Sequence, residues 1–141
     1  IIPYNYIDTA DEMLQKLEDI EHYDTAALEE LVRAFRDRAV VLAGIAEQDI
    51  DDPPAFNSGL IRIGRALNTA YWSYSGPYDQ DVNELIPRFP GIARAAAMAD
   101  MDPGTEAAGF LRTRLRREEN RIAEGLVTAT GIADDLLSNL K

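Results

Sequence analysis

The residues that could carry acid–base, nucleophilic or metal chemistry are few in this chain and lie far apart in its sequence. It has one histidine, His22, and no cysteine. None of its four serines stands at a recognisable spacing from a base that would make it a nucleophile. We therefore expect a non-catalytic protein, although carboxylates brought together by folding could still do acid–base chemistry.

Three short acidic runs have the residue types that bind hard cations: Asp49-x-Asp51-Asp52, Asp79-x-Asp81-x-Asn83 and Asp100-x-Asp102. The second run begins like a calcium loop but continues with Glu84 where such a loop requires glycine. A di-iron bundle needs Glu-x-x-His pairs, which a single histidine does not supply. We predict no bound metal and no cofactor, and we interpret His22 as a cap at the C-terminal end of the first helix.

Charge is distributed unevenly along the chain. Residues 1–60 contain 14 acidic and 4 basic side chains and residues 61–141 contain 11 and 10, which together give the net charge of −11. Such an acidic surface steers a basic partner towards it and repels nucleic-acid phosphates. A simpler interpretation is a solvated face that aids solubility. The partner-binding candidates in this part of the chain are Glu18, Asp19, Glu21, Glu29, Glu30, Asp49, Asp51 and Asp52.

A second candidate contact surface is aromatic. Four aromatic residues fall within eight positions, from Tyr71 to Tyr78, and Phe89 follows. Because tryptophan and tyrosine supply large contact area at low entropic cost, Trp72, Tyr74 and Tyr78 join the partner-binding candidates. The cluster could also close one end of a bundle or line a small-molecule pocket.

Arginines are concentrated between residues 112 and 121. Arg112, Arg116 and Arg117 are candidates for an anion site or for self-association. The alternative is a helix face balanced by ion pairs, since Glu118 lies four residues after Arg114.

The elements that position these residues are helices. Residues 1–8 are expected to form an extended N-terminal arm, and residues 9–141 a single all-α bundle of four main helices plus one or two short ones. The capping box from Thr9 to Glu12 predicts the first helix start, and apolar periodicity predicts helices to residue 21, from 25 to 46 and from 55 to 74. Shorter helices are predicted at 81–87 and 92–99.

A long C-terminal helix is predicted from Asp102-Pro103 onwards, because an acidic N-cap followed by proline is a strong start signal. Gly131 is a weak point in this helix, but the apolar stripe keeps its phase there, so we favour a continuous helix. A seven-residue apolar repeat, which would suit self-association, consists of Leu115, Ile122, Ala129 and Leu136.

The leading hypothesis is a non-catalytic protein–protein interaction module, like an immunity protein, inhibitor or adaptor, that binds a more basic protein. The alternatives are a structural protein that homo-oligomerises through its C-terminal helix and a bundle that senses a small molecule. No apolar run is long enough to span a membrane. The chain begins with Ile1, which we interpret as processing, so the compartment stays open, with a soluble cytoplasmic location favoured.

Overall fold

The structure is a computed structural model, and it describes residues 5–74 and 85–140, apart from the side chains of residues 73, 74, 85 and 86. Within these ranges the chain forms five α-helices, a 3-10 turn at Glu47–Asp49 and two short strands. The helices are α1 (Tyr6–Glu18), α2 (Ala26–Ala43), α3 (Pro53–Tyr71), α4 (Arg88–Met101) and α5 (Glu106–Ser138). Strands β1 (Trp72–Tyr74) and β2 (Leu85–Pro87) pair antiparallel between α3 and α4. The predicted all-α class with a long C-terminal helix is confirmed.

Helix α5 is the central element, because it packs against α2, α3 and α4, while α1 packs chiefly against α2. Its apolar stripe is fully buried at Ile122, Leu126 and Ala129. Helix α3 approaches α5 closely at Gly125, where a Cβ atom would lie 2.6 Å from the carbonyl oxygen of Ala66. The two helices therefore meet backbone to backbone at this point.

The first helix starts earlier than predicted. It begins at Tyr6 and its N-cap is Asn5, whose side-chain oxygen accepts a hydrogen bond from the backbone N–H of Asp8 at 3.1 Å. The prediction that Thr9 caps the helix is therefore wrong, and residues 6–8 are helical rather than part of an extended arm. Residues 1–4 lie outside the described ranges.

The start of the last helix also differs from the prediction. Asp102 ends α4, and α5 begins at Glu106, where the Thr105 hydroxyl accepts a hydrogen bond from the Ala108 N–H at 3.1 Å. The predicted start at Asp102-Pro103 is wrong, because the chain uses these residues for the connection between two helices.

The region before α4 contains a strand in place of part of a predicted helix. Residues 85–87 pair with β1, so the helix predicted at 81–87 is wrong there, and residues 81–84 lie outside the described ranges. Helix α4 then begins at Arg88 and is longer than the predicted segment 92–99.

The predicted continuity of the last helix through Gly131 is confirmed. Helix α5 has 33 residues and is about 50 Å long. Its seven-residue repeat is not a free seam, however, since all four of these side chains are buried in the core of the same chain: Leu115, Ile122, Ala129 and Leu136.

Candidate functional site

The acidic candidates fall into two groups at opposite ends of α2. Glu18, Asp19 and Glu21 precede this helix, and Glu29 and Glu30 lie in its first turns. The second group, Asp49, Asp51 and Asp52, follows its C-terminal end. Because α2 alone rises about 27 Å, the two groups do not form one continuous face.

The first group surrounds the connection between α1 and α2, which we call the acidic turn and define as residues 18–24. Glu18, Asp19 and Glu21 are exposed. Asp19 accepts a hydrogen bond from the Gln15 amide at 3.1 Å, and Glu21 lies 4.0 Å from the His22 ring. Within the described ranges, no lysine or arginine forms an ion pair with these three carboxylates.

The acidic turn is anchored to three helices by side chains. His22 Nδ1 lies 3.0 Å from the Asp100 carboxylate of α4, and the Tyr23 hydroxyl donates to Glu119 of α5 at 2.6 Å. The hydroxyl oxygen of Thr25, directly after the turn, lies 3.3 Å from the Leu17 carbonyl oxygen of α1. These contacts restrain the turn, so that less entropy is lost when a partner binds.

His22 itself has a φ of 68°, in the left-handed region that a non-glycine residue adopts at a cost. Helix α1 ends at Glu18 with Asp19 as its C-cap, and His22 lies four residues after Glu18. The prediction that His22 caps the C-terminus of the first helix is therefore wrong. Its ring instead joins the turn to α4 through Asp100.

The Tyr23 anchor gives a pH-dependent prediction. Burial and the neighbouring Glu119 raise the pKa of the Tyr23 hydroxyl from 10.0 to about 12. The unfolded chain therefore ionises this group at lower pH than the folded chain, and the anchor's contribution to stability is present below pH 10 and lost as the pH rises towards 12. A Tyr23→Phe variant is expected to lose about 1 kcal/mol at pH 8, and this difference from the wild type should shrink between pH 10 and pH 12. Urea unfolding of both proteins at several pH values measures it, and a difference that stays constant with pH would contradict the assignment.

Two other acidic candidates have local roles. Glu29 is half-buried, accepts a hydrogen bond from Thr25 at 2.9 Å and lies 3.6 Å from Arg33. Asp52 caps α3, since its side chain accepts a hydrogen bond from the Ala55 N–H at 3.2 Å. Glu30, Asp49 and Asp51 are exposed.

The aromatic candidates are only partly described. Trp72 is 39% exposed at the C-terminal end of α3. The backbone of Tyr74 belongs to β1, its side chain is outside the described part of the structure, and Tyr78 is outside it entirely. Phe89 is buried and contacts Tyr71 edge to face, with 5.3 Å between the ring centroids. This pair belongs to the core.

Two clefts were not predicted at their observed positions. One of about 350 Å³ lies between α1 and α3 and reaches Trp72. The other, of about 500 Å³, lies near the N-terminal ends of α1 and α3, is mainly apolar and includes Leu42, Ile45 and Phe56. It is far along α3 from Trp72. Neither cleft could be found from periodicity, because each is the space left between helices that are distant in sequence.

The arginine candidates are exposed along α5. The Arg112 guanidinium donates to the carbonyl oxygen of Pro103 at 2.8 Å. Arg116 and Arg117 are also exposed, and successive positions on a helix point about 100° apart. Arg112 and Arg116, four positions apart, lie on the same side of the helix, whereas Arg117 points to another side, and an anion site here stays a prediction.

Sequence reasoning missed Arg88, a buried arginine that links α4 to α3 and α5. It is 9% exposed at the start of α4, and it donates to the Thr69 carbonyl at 2.9 Å and to the Glu118 carboxylate. The available signal was its position as a lone charge in the apolar run from Leu85 to Phe89.

Sequence reasoning also missed three exposed apolar side chains near the connection between α4 and α5, Met98, Met101 and Phe110, which we call the hairpin tip. Met101 is 83% exposed and Phe110 is 70% exposed. Exposed apolar side chains of this size are a candidate contact surface where they lie side by side.

Comparison of the chain with models of known protein families, with characterised proteins and with solved structures finds no match. No helix within the described ranges combines the length and apolar character needed to cross a membrane. In the same ranges, no group of three or more histidine or acidic side chains is arranged to hold a metal ion. The surfaces described above are therefore the basis for a functional proposal.

Proposed function

We propose that this chain is a non-catalytic protein-interaction module whose acidic turn binds a more basic protein. The observation that carries the proposal is the combination of exposed carboxylates at Glu18, Asp19 and Glu21 with the anchoring of the turn to α1, α4 and α5. A fixed group of exposed like charges steers an oppositely charged partner and loses little entropy on binding.

Not all eight acidic candidates are used in this proposal, because some of them have other contacts or lie elsewhere. Glu29 and Asp52 are engaged within their own helices, and Asp49 and Asp51 lie at the other end of α2. Glu30 is exposed close to the acidic turn and stays in the set. The proposed contact surface is therefore Glu18, Asp19, Glu21 and Glu30.

The test begins by finding the partner with a photo-crosslinking residue at position 19 in extract of the source cell. A protein carrying the same residue at position 135, an exposed site on α5, is the matched control. A partner captured equally from both positions would contradict the proposal.

The second step measures association with that partner after charge reversal of Glu18, Asp19 and Glu21 to lysine. The association rate at low salt is expected to fall at least about tenfold, with weaker dependence on ionic strength. A control with the same change in net charge reverses three exposed carboxylates on α5: Glu106, Glu124 and Asp135. Equal effects of the two triple variants would show that net charge alone matters, and would contradict a specific role for the acidic turn.

A second candidate function is self-association, because the hairpin tip exposes Met98, Met101 and Phe110. The seven-residue repeat of α5 is buried, so self-association is now assigned to the hairpin tip instead. Sedimentation velocity over a wide concentration range tests it, since a strict monomer would exclude self-association through the tip.

A further inference from the structure

The cleft between α1 and α3 combines aromatic rings with one carboxylate. Its volume is about 350 Å³, and its lining includes Tyr6, Glu12, Leu67, Asn68, Tyr71 and Trp72. No basic side chain is among its described lining residues. Lys16 approaches Glu12 only to 3.8 Å, with both side chains exposed, which is a weak interaction. The cleft therefore offers negative charge and aromatic surface together.

The hydroxyl of Tyr71 adds a second, independent feature to this cleft. The oxygen atom is buried and has no hydrogen-bond partner among the described residues. Desolvation raises the pKa of this hydroxyl, and the charge of Glu12 adds to the effect, so it stays protonated. A buried hydroxyl without a partner is destabilising, and a ligand in the cleft would remove that penalty if the Tyr71 side chain turned its oxygen towards it.

These features together favour one ligand chemistry. Aromatic faces attract cations, and the guanidinium group stacks on such faces while its N–H groups donate to carboxylate and hydroxyl oxygens. Anions are disfavoured by the charge of Glu12, and a purely apolar ligand would leave the Tyr71 hydroxyl without a partner. We propose that this cleft binds a guanidinium group, namely an arginine side chain of the basic protein partner.

The location of the cleft is consistent with this role. Glu12 lies on α1 seven residues before Asp19, so the two carboxylates point to similar sides of the helix. An arginine seated in the cleft would leave the rest of the partner surface near the acidic turn. The inference rests on the proposed function, because that function supplies the basic protein to which the arginine belongs. Its test uses a peptide and does not need that protein.

The test uses the tripeptide acetyl-Gly-Arg-Gly-amide and the fluorescence of Trp72, which is the only tryptophan of the chain. Two peptides of the same length, with citrulline or lysine in place of arginine, are the matched ligands. Citrulline keeps the shape of the side chain but removes its charge, and lysine keeps the charge but removes the planar group. The arginine peptide is expected to give a saturable change and to bind at least about fivefold more tightly than either of the others.

Variants of the protein locate the ligand. Glu12→Gln is expected to weaken the arginine peptide at least about fivefold, and Tyr71→Phe to weaken it by a smaller factor. Glu124→Gln, which removes an exposed carboxylate of α5 outside the cleft, should leave binding unchanged. Equal binding of the citrulline peptide, or equal effects of Glu12→Gln and Glu124→Gln, would overturn the inference. Such a result would contradict the arginine site but not the proposed role of the acidic turn. If only the charge-reversal test failed, the arginine site would stand and the proposed basic partner would not.

Discussion

An Arg88→Met variant is expected to have a free energy of unfolding about 3 kcal/mol lower than that of the wild type. The Arg88 guanidinium joins three elements, because it starts α4, donates to Thr69 of α3 at 2.9 Å and donates to Glu118 of α5. Methionine keeps the aliphatic part of the side chain but leaves the Glu118 carboxylate, which is only 20% exposed, without its cation. Urea unfolding at neutral pH measures the effect.

Arg94→Met is the matched control for this experiment. Arg94 lies on the same helix and is exposed, so its replacement should change the free energy of unfolding by less than about 0.5 kcal/mol. The double variant Arg88→Met/Glu118→Leu should recover much of the stability, because no buried charge is then left unpaired. If Arg88→Met unfolded like Arg94→Met, the ion pair would have no structural role.

The second large effect is expected at Gly125. A Cβ atom there would lie 2.6 Å from the Ala66 carbonyl oxygen and 3.0 Å from the Ala70 side chain, so Gly125→Ala must push α3 and α5 apart. Since the obstructing atoms include backbone, the cost cannot be relieved by rotation of a side chain. We expect a loss of about 2 kcal/mol in the free energy of unfolding.

Gly131 provides the matched control on the same helix. A Cβ atom there meets no atom within 4 Å, so Gly131→Ala should gain about 0.5 to 1 kcal/mol from the higher helix propensity of alanine. The two substitutions are chemically identical, and their opposite signs are the prediction. Thermal or urea unfolding that showed the same sign for both would contradict the close approach of α3 and α5.

The helical class of this protein and the continuity of its last helix follow from its sequence, because apolar periodicity is a local property. The stripe that runs through Gly131 keeps its phase over many turns, and one weak helix former does not outweigh it. The unequal distribution of acidic residues is likewise a property of the sequence alone.

Helix ends were less predictable, because several residues compete to cap each start. Asn5 and Thr9 both have side chains that could cap α1, and Asn5 does so. Asp102 and Thr105 could both cap α5, and Thr105 does so. The position of the neighbouring helices decides between such candidates. The strand at residues 85–87 has the same origin, since it forms only by pairing with β1.

Which surfaces are available for binding was decided only by tertiary structure. Leu115 and Ile122 belong to a stripe that could contact another copy or the chain's own helices, and only the positions of α3 and α4 show that it is buried. The sequence places Glu12 far from Tyr71 and Trp72, and the arrangement of α1 beside α3 brings all three to one cleft. Periodicity determines which face of a helix is apolar, whereas contacts between helices distant in sequence determine what covers that face and which charges remain exposed.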